Sequence, residues 1–140
     1  MKNKLIIFSL VLAFLGFLDA AYLTIAHYKN LTPPCTLHGC EAVLTSSFSM
    51  LGPVPVALFG ALFYLGMIVL CFLILVEGVK QVLKLFYLGA VWGVLFSVYL
   101  FAIQWLIIKS FCQYCLLSEV VAMGLLILAV LKFREERKTN

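Results

Sequence analysis

The feature of this sequence that most restricts its fold is a series of four long apolar runs with almost no charge. They cover residues 5–26, 54–76, 85–108 and 111–131. A helix of about 20 residues, rising 1.5 Å per residue, crosses the apolar core of a lipid bilayer. Asp19 is the only charged residue in the first run, Glu119 is the only one in the fourth, and the middle two runs have none. The runs predict an all-α, polytopic membrane protein with a bundle of four transmembrane helices.

The composition excludes an ordinary soluble domain of this size. Of the 140 residues, 65% are hydrophobic and only 11% are charged. That leaves too few polar side chains to cover a surface exposed to water. We expect a single membrane domain over residues 1–140, with an outer loop over 27–53.

Lysine and arginine are divided unevenly between the two ends of the predicted helices. Only Lys29 and Lys109 flank one end, whereas the termini and the turn 77–84 at the other end hold the rest. Those eight are Lys2, Lys4, Lys80, Lys84, Lys132, Arg134, Arg137 and Lys138. Because cytoplasmic loops carry an excess of basic residues, both termini are predicted to be cytoplasmic. The loops 27–53 and 109–111 then face outward from a bacterial plasma membrane, and the net charge of +4 requires no nucleic acid partner.

Five cysteines are grouped in a way that indicates redox chemistry. Four fall in or beside the predicted outward loops, and Cys71 falls within the second run. Disulfides persist outside the plasma membrane, whereas the cytosol keeps thiols reduced. We therefore expect two disulfides and one buried, structural thiol at Cys71. The four outward residues are Cys35, Cys40, Cys112 and Cys115.

One of these pairs, Cys112-Gln-Tyr-Cys115, opens the fourth apolar run. Two cysteines one helical turn apart at a helix N-terminus form a recognised redox arrangement. The unpaired backbone N–H groups and the helix dipole favour the thiolate there, so the thiol pKa falls. The spacing predicts a redox-active pair at the mouth of a membrane helix.

The other pair, Cys35 and Cys40, lies in the outer loop and encloses Gly39. Pro33-Pro34 prevents a helix before it, and glycine allows a turn between the two sulfurs. A disulfide in such a small, exposed ring exchanges readily with thiols. Two alternatives remain open on the residues alone, a disulfide that only staples the loop and a metal site that uses His38 with the cysteines.

The segment 41–51 follows the loop pair and is predicted to form a short amphipathic helix. Val43, Leu44 and Ser47 would lie on one face, which rests on the membrane or covers the end of the bundle.

Small residues indicate where the helices pack closely. A stripe runs along the first helix, and glycines recur in the second and third. These positions are Ala13, Gly16, Ala20, Gly60, Gly66 and Gly89-x-x-x-Gly93.

Three polar residues interrupt the apolar runs near the outward end. Asp19 and Glu119 fall at about the same depth, and Gln104 lies close to the level of Cys112. A carboxyl group inside a membrane is costly unless it is paired, protonated or hydrated. Each carboxyl group either makes a structural hydrogen bond or handles the protons that dithiol oxidation releases. Gln104 either packs between helices or contacts a polar head group.

An outward loop pair and a pair at the membrane edge together indicate an electron relay by thiol–disulfide exchange. The membrane pair then requires an acceptor that dissolves in lipid, and a quinone is the natural candidate. Phe111, Tyr114 and Trp105 are near the pair and could stack on a flat ring. The same aromatic residues could instead form an ordinary interfacial belt.

The order of these motifs resembles that of the vitamin K epoxide reductase family, in particular its bacterial branch. The resemblance extends from about Tyr22 to Val120, with the loop pair first and the Cys-x-x-Cys last. The motifs that carry it are Cys35, Cys40-Glu-Ala-Val-Leu-Thr-Ser46, Gly52-Pro-Val-Pro-Val-Ala-Leu-Phe-Gly60 and Cys112-x-x-Cys115.

The resemblance implies a role for each cysteine. Cys35 exchanges with a partner protein, Cys40 passes electrons to Cys112, and Cys115 faces the quinone. Ser46 matches the family's serine near the quinone pocket. Together with Phe111, Tyr114, Gln104 and Glu119 it is a candidate quinone-binding residue.

Three departures from the family pattern shape the expected activity. No thioredoxin-like domain follows the fourth run, so we expect a thioredoxin-like (DsbA-type) partner in trans. The second run has no asparagine of the kind that animal members use, and Glu119 stands where they have tyrosine. We therefore expect a disulfide-generating oxidoreductase that uses ubiquinone or menaquinone and no metal. The alternatives are a vitamin K epoxide or quinone reductase with other thiol donors, and a module that binds or transports a thiophilic metal.

Overall fold

Four long helices form the body of the protein in a computed structural model, which describes residues 3–36 and 39–139. They are α1 (Lys4–Tyr28), α3 (Val56–Glu77), α4 (Lys80–Ala102) and α5 (Gln113–Lys138), and the short α2 (Cys40–Leu44) lies between the first two. All four are long and apolar enough to cross a membrane. The predicted all-α membrane bundle with a short helix in its first loop is therefore confirmed.

Small residues bring the helices together as predicted, with one exception. The stripe Ala13, Gly16, Ala20 is buried where α1 packs on α3 and α5. A Cβ at Gly60 would meet the Ala20 side chain at 3.6 Å, and Gly93 is buried against the Phe63 ring. The prediction for Gly66 is wrong, because this residue is exposed and a Cβ there would meet nothing within 4 Å.

The connection between α3 and α4 is shorter than the predicted turn over 77–84. Gly78 adopts the left-handed conformation (φ 64°) that ends α3, and α4 begins two residues later at Lys80. Glycine takes this conformation without steric cost, which allows an abrupt helix end. Lys80 and Lys84 are therefore part of α4 and not of a loop.

The outer loop contains less helix than the predicted 41–51. After α2 come a single 3-10 turn (Ser47–Ser49) and a small antiparallel ladder of Met50–Leu51 with Val54–Pro55. Hydroxyl groups end the helix, because Thr45 Oγ1 donates to Glu41 O (2.6 Å) and Ser46 Oγ donates to Val43 O (2.8 Å). Such local hydrogen bonds compete with helix continuation.

The C-terminal end of α4 widens into a π-helix over Ile103–Ile108. Lys109 then adopts a left-handed conformation (φ 57°), and Ser110 N donates back to Gln104 O (3.2 Å). The chain therefore turns sharply into α5. This turn brings Gln104 against the start of α5, where it contacts the redox pair.

Candidate active site

Cys35, Cys40, Cys112 and Cys115 gather at one end of the bundle. Cys40 and Cys112 are buried together with Val43, and Cys35 and Cys115 pack against them. Cys35 and Cys40 form the predicted disulfide. Cys112 and Cys115 are free thiols, so the second expected disulfide is a dithiol in this structure. Cys71 is free and fully buried in the core, as predicted.

Cys112 is held at the N-terminus of α5 in the position that the motif predicts. Its backbone is extended (φ −105°, ψ 125°), it caps the helix, and its N–H donates to Gln104 Oε1 (3.1 Å). A hydrogen bond from the Cys115 thiol stabilises the Cys112 thiolate and lowers the pKa of Cys112 to about 7, although burial opposes the shift. Cys112 is therefore substantially ionised at neutral pH.

The loop pair is pressed against the membrane pair by a backbone contact. A Cβ on Gly39 would lie 2.2 Å from Phe111 O and 2.8 Å from Phe111 N, so only glycine fits there. Gly39 has an ordinary negative φ (−104°). It is therefore needed for the close approach and not for the turn that the sequence analysis proposed. Cys40 follows Gly39 in the chain and Cys112 follows Phe111, so this contact lies beside both cysteines.

A cavity of about 980 Å³ extends from the cysteines toward the middle of the bundle. Its wall is mainly apolar, and Cys115 lies in it together with Tyr64 and Phe63. Asp19, Ser46, Gln104 and Glu119 are among the polar residues of the wall. The cavity size suits a ring-shaped organic ligand.

Gln104 connects the cavity to the redox pair. Its Nε2 donates to Glu119 Oε1 (2.9 Å) while its Oε1 accepts from the backbone of Cys112. The side chain is almost fully buried, with 2% of its surface exposed. Glu119 thus has a side-chain partner. Asp19 Oδ2, in contrast, is buried without a hydrogen-bond partner among residues 3–36 and 39–139.

Tyr64 is a cavity residue that the sequence analysis missed. Its ring is 2% exposed and its hydroxyl donates to Ser118 O (2.8 Å), one residue before Glu119. The signal that could have located it is the small-residue stripe, because the Tyr64 ring lies directly over Gly16.

The aromatic residues predicted to surround a ring are placed differently. Phe111 and Trp105 line a separate, shallower cleft with Lys109. Tyr114 contacts the Tyr22 ring (5.7 Å between centroids) and donates to Pro34 O (2.5 Å). Neither Phe111 nor Tyr114 is in the wall of the large cavity. Their quinone-binding roles stay predictions, as do those of Ser46, Gln104 and Glu119, which are in the wall.

The metal alternative concerned the outer loop. Within the described ranges, 3–36 and 39–139, no three His, Cys, Asp or Glu residues come together in a group that could bind a metal ion. His38, which the sequence analysis named for this site, lies outside the described residues.

A protein-family model matches most of the chain. The model described as the vitamin K epoxide reductase family matches residues 7–130, which include all five cysteines and most of each long helix. The match extends beyond the motifs from which the resemblance was inferred.

Proposed function

The chain belongs to the vitamin K epoxide reductase family, and from this premise we propose that it oxidises thioredoxin-like proteins and passes their electrons to a membrane quinone. The chain is a multi-pass membrane protein and a thiol oxidoreductase. The proposal adds the electron donor, the route through the cysteines and the acceptor.

One observation carries this proposal: Cys115 belongs to both the cysteine cluster and the wall of the cavity. The cluster faces the water-exposed loop, whereas the cavity lies among the membrane helices. Cys115 is thus the point at which electrons from an aqueous thiol can reach a ligand dissolved in lipid. A protein that only stapled its loop would not need a dithiol there.

The cysteines move electrons by thiol–disulfide exchange. A partner thiolate attacks Cys35, and the Cys35–Cys40 bond breaks with release of Cys40. The partner's second thiol resolves the mixed disulfide, so the partner leaves oxidised and Cys35 and Cys40 are reduced. Cys40 then attacks Cys112 of an oxidised membrane pair and releases Cys115 as a thiolate.

The cycle closes inside the protein. Cys35 attacks Cys40, which re-forms the loop disulfide and leaves Cys112 and Cys115 as a dithiol, the state of this structure. Oxidation of that dithiol releases two electrons and two protons. A quinone bound in the cavity would accept the two electrons and the two protons.

The cavity fits such a group. Its wall is mainly apolar and encloses about 980 Å³, and Cys115 lies in that wall together with several polar residues. Ser46, Gln104 and Glu119 would contact the polar head group, with Gln104 already oriented by Glu119 (2.9 Å). Asp19 and Glu119 are the carboxyl groups that could exchange protons there.

The experiment that tests the proposal uses purified protein in nanodiscs, a reduced thioredoxin-fold protein, and ubiquinone or menaquinone. We expect quinone-dependent loss of partner thiols, with one quinone reduced for each disulfide formed. Cys35→Ser and Cys115→Ser should each abolish it, whereas Cys71→Ser should not. Partner oxidation without any dependence on quinone would contradict the proposal. Turnover of vitamin K epoxide with a small dithiol but not with the protein partner would favour the epoxide reductase alternative.

A further inference from the structure

Gln113 and Tyr114, the two residues between Cys112 and Cys115, form hydrogen bonds to the residues on both sides of Cys35. These hydrogen bonds are called the grip. We propose that Gln113 and Tyr114 are positioning residues that keep Cys35 beside Cys40 while Cys40 is bonded to Cys112. This inference rests on the proposed function and adds residues to it that neither the motif nor the cavity identifies.

The grip consists of three hydrogen bonds across the site. Gln113 Oε1 accepts from Thr36 Oγ1 (2.6 Å) and from Thr36 N (3.2 Å). Tyr114 OH donates to Pro34 O (2.5 Å). Pro34 and Thr36 are the two neighbours of Cys35 in the chain, so α5 holds the loop immediately before and after this sulfur.

Tyr114 is itself braced by the bundle. Its ring packs against Tyr22 of α1, with centroids 5.7 Å apart. Gln113 is the first residue of α5, and this helix continues to Lys138. Both gripping side chains therefore extend from a rigid element, whereas the residues that they hold belong to a loop without regular structure.

One step of the cycle depends on this grip. When Cys40 is bonded to Cys112, the Cys35–Cys40 bond no longer ties the loop to α2. None of the three hydrogen bonds involves a sulfur atom, so they remain available in that state. They keep the Cys35 thiolate at a high effective concentration near Cys40.

The attack of Cys35 on the Cys40–Cys112 disulfide needs no further reactant. The Cys35 thiolate forms a bond to Cys40, the Cys40–Cys112 bond breaks, and Cys112 leaves as a thiolate. The backbone N–H groups at the start of α5 lower the pKa of Cys112, which makes its thiolate a good leaving group. The proton that Cys35 loses on ionising can be taken up by the departing Cys112 thiolate.

The test isolates this step within a single chain. In a Cys115→Ser background the membrane pair cannot re-form, and the two disulfides to compare are Cys35–Cys40 and Cys40–Cys112. After equilibration at fixed pH without quinone or partner, acid quenching, alkylation and non-reducing peptide mapping give the ratio of the two disulfides. We expect Gln113→Leu and Tyr114→Phe each to shift this ratio toward Cys40–Cys112. The hydrogen bonds are stronger when the Cys35–Cys40 disulfide already orders the loop, so their loss disfavours that disulfide. Because they also form in the other state, the shift should be at most roughly tenfold per hydrogen bond lost.

Matched variants separate positioning from general disruption. Gln113→Glu keeps an oxygen acceptor for Thr36 and should retain the ratio of the Cys115→Ser protein. Thr45→Val removes a similar hydroxyl from the same loop, where Thr45 Oγ1 donates only to Glu41 O, and should also leave the ratio unchanged.

The inference is overturned if Gln113→Leu and Tyr114→Phe give the same ratio as the Cys115→Ser protein alone, or if Thr45→Val shifts it equally. Because the measurement contains no quinone and no partner, its outcome is independent of the proposed function. If the ratio shifts in a protein that does not reduce quinone, the quinone is rejected as the electron acceptor, whereas the positioning role of Gln113 and Tyr114 stands.

Discussion

At the scale of single residues, several influences act on the Cys112 thiol. The Cys115 thiol donates a hydrogen bond that favours the thiolate, whereas burial opposes ionisation. Hydrogen bonds from the backbone of Cys115 and Tyr114 also lower its pKa, and a negative charge on Asp19 raises it. The hydrogen bond from the Cys115 thiol is the largest of these, so the net result is a pKa of about 7 against about 8.5 for an ordinary cysteine. The Cys112 thiol therefore ionises more readily than an ordinary cysteine.

This pKa predicts a titration that ultraviolet absorbance of the thiolate can follow. With the Cys35–Cys40 disulfide intact and the other thiols free, one thiol should ionise with a midpoint near pH 7. Cys115→Ala removes the hydrogen bond and should raise the midpoint, and Cys112→Ser should remove the transition. Cys71→Ser is the control and should preserve it. A midpoint unchanged by Cys115→Ala would contradict the assigned cause.

The two carboxyl groups of the cavity differ in their surroundings, although the sequence placed them at one depth. Glu119 accepts from Gln104 (2.9 Å), which in turn accepts from the Cys112 backbone. Asp19 Oδ2 is buried without such a partner within the described ranges. A buried polar atom that makes no hydrogen bond is costly. Of the two alternatives for these residues, the structural hydrogen bond therefore fits Glu119 better than Asp19.

At the scale of elements, α1 and α3 are locked together by one glycine and one tyrosine. A Cβ on Gly16 would lie 2.6–2.8 Å from three atoms of the Tyr64 ring. The ring cannot move aside easily, because it is buried and its hydroxyl is hydrogen-bonded to Ser118 of α5. The same contact therefore joins three helices and fixes one wall of the cavity.

We predict that Gly16→Ala destabilises the bundle by about 1–3 kcal/mol, the usual cost of overpacking a close contact. Thermal unfolding in detergent, followed by intrinsic fluorescence, measures the change. Gly66→Ala is the matched control, because a Cβ there meets nothing within 4 Å. It should leave the unfolding temperature unchanged or raise it. Equal effects of the two substitutions would show that the Tyr64 contact is not the cause.

The long helices could be predicted from the sequence because each is marked locally by an apolar run with charged residues beside it. The π-helix at Ile103–Ile108 could not, since no proline or glycine marks it. The grip on the loop was equally hidden, because its hydrogen bonds join residues 77 and 80 positions apart in the chain. The cysteines themselves were predictable from spacing, whereas the cavity wall required knowledge of which helix faces meet.

At the scale of the whole molecule, the redox site and most basic residues lie at opposite ends of the bundle. Lys4, Lys80 and Lys138 lie at helix ends that the up-and-down order of the helices places together, and the cysteines lie at the other ends. Large apolar side chains are exposed along the length of every long helix, as a lipid environment requires. The molecule is thus polarised along the membrane normal.

The difference between the two ends of the bundle does not by itself say which end faces the cytoplasm, but the distribution of basic residues predicts the orientation. Because seven of the nine lysines and arginines among the described residues lie at the end away from the cysteines, that end should be cytoplasmic. A membrane-impermeant maleimide, applied to intact spheroplasts after mild reduction, should label Cys35. A Thr139→Cys reporter in the same cells should react only after permeabilisation. The opposite pattern would place the loop disulfide in the reducing cytosol, where it could not stay oxidised to receive electrons. The proposed direction of electron flow therefore depends on this labelling as much as on the cysteines.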